Sequence, residues 1–241
     1  MGKYLVPLVS PLIILIGFWA FFYAHSGLIW LLSISIATIL ISGRILSGQR
    51  WWRFMLLWFS LIISYVAQLL FLLLLISGST RYVLSLIFGI CWAVVWLFLR
   101  RYFDHIGEVF SREYLAFKIF FYYLSFWFLS SSLYSLVIFL SIPLLYAVII
   151  LVGAAWLWGR EILATSEVKN NYYLYFTLFL LTQVLILVYF MPISFYVMGT
   201  IATLWFFFII DSAVRKVKFS YYLGIFILSF ALLLFSSLIY L

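Results

Sequence analysis

The sequence predicts an all-α polytopic membrane protein, a bundle of about nine transmembrane helices, and three observations carry that prediction. The first is composition. Of the 241 residues 69% are hydrophobic and 8% charged, against roughly 45–50% apolar and about 25% charged in soluble domains. The second is that the apolar residues fall in runs of a spanning length, since a helix rising 1.5 Å per residue needs about 20 of them to cross the hydrocarbon. The third is that the breaks between runs alternate in kind, one short and nearly uncharged, the next charged.

Taken in order, Tyr4–Tyr23 opens the chain behind Lys3. It has the look of a signal peptide, but the run is too long for one and Phe22 stands where a small residue is wanted, so it reads as a retained helix. Pro7 and Pro11 loosen it, because a proline ring removes a backbone N–H and crowds the preceding turn. Leu28–Ser42 is the shortest run, and the count falls to eight if it does not cross. Phe54–Ile76 follows Trp51 and Trp52 and carries Ser60, Ser64 and Gln68 at i, i+4 and i+8, a polar stripe on one helical face. Tyr82–Leu99 holds Gly89, Ala93 and the single cysteine, Cys91, so no intrachain disulfide exists. Phe117–Ser135 comes next, then Ile142–Trp158, with Pro143 near its start, where the lost N–H costs little, and small residues from Gly153 to Ala155. Tyr172–Phe190 contains Gln183. Ile193–Ile210 follows Pro192 and carries Gly199, Ala202 and Thr203, small residues that let helices approach closely in a membrane. Phe219–Leu241 is the ninth. No run is left for a soluble domain, so residues 1–241 read as a single transmembrane helical domain.

The breaks after the first, third, fifth and seventh runs are His25-Ser26-Gly27, Ser77 to Arg81, the serine-rich stretch before Pro143, and Met191-Pro192. Those after the second, fourth, sixth and eighth are charged: Arg44 to Arg53, Arg100 to Lys118, Arg160 to Asn171, and Asp211 to Lys218. With Lys3 they hold thirteen of the fourteen lysines and arginines, and Arg81 alone lies opposite. The positive-inside rule places that side in the cytoplasm, with the N-terminus inside and the C-terminus outside. All six acids share that face. The net charge of +8 is scattered beside apolar runs instead of gathered in a patch, so anionic lipid headgroups, not nucleic acid, are its counterpart. The expected location is the plasma (cytoplasmic) membrane.

Tyr-Tyr-Leu recurs at Tyr122, Tyr172 and Tyr221, each time after a charged break, with Trp51-Trp52 in the equivalent place earlier. Hairpin duplication would produce this. The plainer reading is that interfacial aromatics sit at every helix entrance.

The densest cluster of charge is Arg100 to Lys118. Read as one helix it pairs Arg101 with Asp104 and Glu108 with Arg112, with Phe103, Phe110 and Tyr114 as apolar bulk, and it lies along the membrane surface. Asp104, His105 and Glu108 are the candidate catalytic residues, with Arg101 and Arg112 as candidate binders of a lipid phosphate. Against this, His105 is turned roughly 100° from Asp104, and a salt-bridged connector explains the same residues. Within the spans no acid or base is expected. Gln68 and Gln183 remain as candidate binding residues, or as groups that hydrogen-bond between helices.

Several classes are excluded. His25 and His105 fall on opposite sides of the bilayer and cannot share a haem iron. There is no His-Glu-x-x-His, no Gly-x-Ser-Gly with a membrane histidine, no intramembrane aspartate pair and no phosphate-binding glycine loop. No metal and no cofactor is expected. The first functional reading is non-enzymatic: a membrane-embedded subunit, scaffold or carrier for an apolar or weakly polar substrate, in contact with anionic headgroups and with protein partners in the membrane. The second is an enzyme acting on a lipid-linked substrate at the cytoplasmic face. The third, an ion-coupled transporter, is disfavoured because such coupling uses a buried carboxylate.

Overall fold

The computed structural model describes residues 2–23, 28–75, 78–104, 112–165 and 172–215. Nearly all of them are helical, and no strand occurs among them. The helices are α1 (Gly2–Tyr23), α2 (Leu28–Ser47), α3 (Met55–Leu74), α4 (Gly78–Asp104), α5 (Arg112–Leu140), α6 (Leu144–Thr165), α7 (Tyr172–Tyr189) and α8 (Phe195–Arg215), with a 3-10 segment, Gly48–Phe54, between α2 and α3. Eight of the nine expected runs therefore coincide with helices, and the ninth, Phe219–Leu241, lies outside the described residues. Among the described residues five helical stretches are long and apolar enough to cross a membrane: Lys3–Ala20, Arg50–Leu74, Gly78–Asp104, Leu115–Leu140 and Leu144–Ala164. Leu32–Ser47, Leu178–Tyr189 and Phe195–Phe208 are shorter apolar helices.

The chain gathers into two compact units, Met1–Tyr114 and Leu115–Leu241. In the first, α1 packs on α2 and α4, and α3 packs on α2 and α4. Proline does not break α1, which runs through Pro7 and Pro11 as one helix. Both prolines are on its buried side, next to Ser10, whose hydroxyl meets that of Ser42 on α2 at 2.5 Å. The α2 helix outruns its expected end by five residues and stops where Gly48 takes φ +59°. That is a left-handed conformation an L side chain resists, and the chain enters the 3-10 segment from it. Aromatic rings fill the interior: Phe18 lies 5.0 Å from Tyr65 and 5.9 Å from Phe88 between centroids, and Trp58 stacks on Phe103 at 5.8 Å.

In the second unit α6, α7 and α8 pack on one another, and α5 is buried on nearly every face from Phe121 to Val137. A helix apolar all round is a core helix, and α5 fills that place here. The outer break expected between Ser135 and Pro143 comes late in that interval, because α5 runs on to Leu140. Ser130, Ser131, Ser132 and Ser135 are buried, and the break is Ser141 to Pro143, with Ser141 at φ +53°. Small serines let the neighbouring backbone come close: a Cβ added at Gly199 of α8 would lie 2.9 Å from the Ser131 nitrogen and 3.0 Å from its Cα. The Tyr-Tyr-Leu at Tyr122 is packed among helices. Tyr122 and Tyr123 are core residues, and the Tyr123 hydroxyl donates to the Phe207 carbonyl at 3.3 Å.

The Gly199 approach is against backbone and cannot relax by a rotamer change. Gly199→Ala is expected to destabilise the protein by about 1–3 kcal/mol through overpacking. Gly153→Ala, where an added Cβ meets nothing within 4 Å, is expected to be neutral or stabilising by up to about 1 kcal/mol. Thermal melting of the two variants in detergent checks the pair.

Candidate functional site

The residues of the charged stretch Arg100 to Lys118 are divided between two helices. Arg100 to Asp104 form the last turn of α4, and Arg112 to Lys118 open α5, so neither end belongs to a separate surface helix. His105 and Glu108 lie outside the described residues, as does the side chain of Arg112. Asp104 does not pair with Arg101. Its carboxylate meets Arg100 Nε at 3.5 Å, one turn back at i,i+4, and Lys3 Nζ of α1 at 3.7 Å. The i,i+4 spacing brings side chains onto one face more closely than i,i+3 does. Arg100 also lies over the Tyr4 ring, its guanidinium carbon 3.9 Å from the centroid. Arg101 is exposed. The arrangement ties the end of α4 to the start of α1. Its ion pairs are solvent-accessible, with side-chain exposures of 46% for Lys3 and 37% for Asp104, so each contributes about 0–1 kcal/mol.

Inside the first unit, polar groups are engaged from helix to helix. Gln68 of α3 is buried, and its side-chain oxygen accepts a hydrogen bond from Trp92 Nε1 of α4 at 2.8 Å. Ser64, one turn earlier, donates back to the Ser60 carbonyl at 2.9 Å. Tyr65 donates to Ser35 of α2 at 2.9 Å, and Trp19 of α1 donates to Ser85 of α4 at 2.7 Å. The stripe of Ser60, Ser64 and Gln68 therefore faces helices. Gln183 does not join it: it stands at an exposed position on α7, one turn from Phe179, also exposed.

The expectation that no acid or base enters the helical interior is overturned in the second unit. Lys118, Glu161 and Asp211 are buried there, at 8%, 9% and 4% exposure. Lys118 stands near the start of α5, while Glu161 and Asp211 stand near the ends of α6 and α8. Lys118 Nζ donates to Glu161 Oε2 at 2.8 Å and to the Glu161 main-chain carbonyl at 3.0 Å. The ammonium lies 5.9 Å from the Tyr122 ring centroid, within the reach of a cation–π attraction. A cation in the last turns of a helix is also favoured by the dipole of α6. Asp211 follows Ile210, whose Cδ1 lies 3.0 Å from where a Cβ would stand on Gly159 of α6, two residues before Glu161.

Helical phase in the sequence contained a signal for this. Ala154, Trp158 and Glu161 follow one another at i, i+4 and i+7, and Lys118, Phe121 and Tyr122 at i, i+3 and i+4, so each charge continues a buried stripe. Assigning the charges to loops hid it. Among the described residues no group of three His, Cys, Asp or Glu could hold a metal ion.

A buried pair is costly to break because the survivor is left charged and desolvated. Lys118→Met or Glu161→Leu alone is expected to destabilise by about 3–5 kcal/mol, and the double variant to recover most of that loss. Detergent melting of the four proteins of this cycle measures the coupling. Comparison of the chain with known families, with curated proteins and with solved structures finds no match, so the site is read from its own chemistry.

Proposed function

We propose that the chain is a multi-pass integral membrane protein of nine spanning helices. Its charged breaks lie in the cytoplasm, its first residue inside and its last outside, and it resides in the plasma membrane. Its role is non-catalytic: a membrane-embedded subunit, scaffold or carrier for an apolar or weakly polar substrate. The observation that carries this reading is that polar side chains between the helices are engaged with one another. Gln68 is held by Trp92, Tyr65 by Ser35, and Ser10 meets Ser42. Asp104, one of the three acid–base candidates, is tied to Lys3 and Arg100.

One observation favours a second reading. Ion coupling draws on carboxylates inside the helical bundle, and Glu161 and Asp211 are buried. In that reading Asp211 would take up the coupling proton or cation while Glu161 stays paired with Lys118.

The two readings, and an enzyme working on a lipid-linked substrate, separate on abundance and rescue measured together in a strain lacking the protein. Under the proposed reading His105→Ala, Glu108→Gln and Asp211→Asn accumulate and rescue nearly as the parent does. Loss of rescue by His105→Ala or Glu108→Gln at normal abundance would instead mark an enzyme, since removing a general acid or base costs roughly 100- to 10,000-fold in rate. The same loss confined to Asp211→Asn would establish ion coupling.

A further inference from the structure

The break between α2 and α3 differs from the other charged breaks in holding no acid. Arg44, Arg50 and Arg53 lie within ten residues, whereas Asp104, Glu108 and Glu113 accompany the bases of the next break and Glu161 and Glu167 those of the one after. All three arginines are exposed. At this place the 3-10 segment folds back beside the end of α2 and leaves a cavity of about 380 Å³, lined by Leu40, Ile41, Arg44, Gly48, Trp51 and Trp52. The left-handed turn at Gly48 opens it, and no atom lies within 4 Å of where a Cβ would stand.

The lining is ordered by depth. Leu40 and Ile41 precede Arg44 by four and three residues, so they stand about one helical turn, roughly 5.4 Å, further along α2 from its charged end. Ile41 is 60% exposed. Arg44 presents a guanidinium, whose planar fork matches phosphate oxygens. Across from it Trp52 is 70% exposed and meets Trp51 edge-on, at 4.7 Å between centroids. Indoles favour the headgroup level of a bilayer. One site thus offers a single guanidinium, two indoles and an aliphatic wall one turn further along α2.

We propose that this cavity is a binding site for one anionic phospholipid. Its phosphate sits on Arg44 with Arg50 and Arg53 supplying the surrounding positive field, and its first acyl carbons lie along Leu40 and Ile41 against Trp52. A soluble anion would use the arginines but leave the apolar wall idle. A zwitterionic lipid would use the wall but gain little from the three arginines, which form no ion pair among the described residues. The site rests on the membrane reading given above, and on neither the scaffold nor the carrier role.

The test uses the full chain solubilised in detergent, with native mass spectrometry counting retained lipid after addition of phosphatidylglycerol or phosphatidylcholine. One phosphatidylglycerol per chain should be retained in preference to phosphatidylcholine. Arg44→Gln should lower that retention roughly fivefold or more, Trp52→Ala should lower it as well, and Arg44→Lys should keep part of it. Arg160→Gln, an exposed arginine on α6, should leave it unchanged. Equal loss with Arg160→Gln would show diffuse attraction to charge and overturn the site. Displacement of the lipid by millimolar inorganic phosphate would assign the arginines to a soluble anion and overturn it equally. Extraction of the protein from membranes by alkaline wash without detergent would overturn the membrane reading itself, whereas a protein that needs detergent but retains no lipid removes only this proposal.

Discussion

Hydrocarbon supplies no hydrogen-bond partner, and that one constraint organises this chain. Backbone groups must be satisfied within each segment, which selects helices, and every polar side chain among them must find another side chain or a carbonyl. Serine and threonine mostly turn back on their own helix, as Thr38 does to Ile34, Ser125 to Phe121 and Thr182 to Leu178. Longer groups reach across, as Trp92 does to Gln68 and Tyr134 to the Leu185 carbonyl at 2.8 Å. Among the described residues Nε1 of Trp51, Trp58 and Trp96 and Oγ of Ser131 are buried without a hydrogen-bond partner. Ser131 lies where α5 and α8 approach closely, against the Gly199 backbone.

The two units solve the problem differently. In the first, indoles and phenols on one helix meet hydroxyls and an amide on another, so polar bonds are placed between large rings. In the second, α5 supplies rings at one end and serines toward the other. Its rings stack on the neighbours, with Phe126 at 4.6 Å from Phe206 and Tyr122 at 6.1 Å from Trp158 between centroids. Its serines admit α8, and the Ser130 hydroxyl reaches the Gly199 carbonyl at 3.3 Å. The ion pair of Lys118 with Glu161 closes the charged end of this unit. Two charges there contribute to holding α5 on α6 only because each is the other's partner, which is why either one alone would be worse than neither.

Apolar run length was enough to read the helices from the sequence, since eight runs became α1 to α8 with ends moved by a few residues. The ends moved because composition marks where hydrocarbon stops, not where hydrogen bonding stops: α4 runs past Leu99 to Asp104, and α5 past Ser135 to Leu140. Gln68 was legible as an interhelical group because its stripe has helical period. What was not legible from run length is which charges leave the water. Glu161 and Asp211 adjoin Arg160 and the bases from Arg215 onward, so they look like loop residues, and only the phase of the helix puts them inside. Local spacing marks Asp104 as a paired acid but not its partners, because Arg100 and Arg101 both lie within a turn of it and Lys3 comes near only when α1 packs on α4.

The central claim of the proposed reading is that the charged breaks lie together on one side of the bilayer, the side that the positive-inside rule assigns to the cytoplasm. Single cysteines in a Cys91→Ser background, probed in intact cells with a membrane-impermeant thiol reagent, test it directly. Cysteines at Gly78 and Ser141 are predicted to be labelled from outside, while those at Arg50 and Arg160 react only after permeabilisation. Labelling of Arg50→Cys or Arg160→Cys in intact cells, alongside Ser141→Cys, would contradict the account.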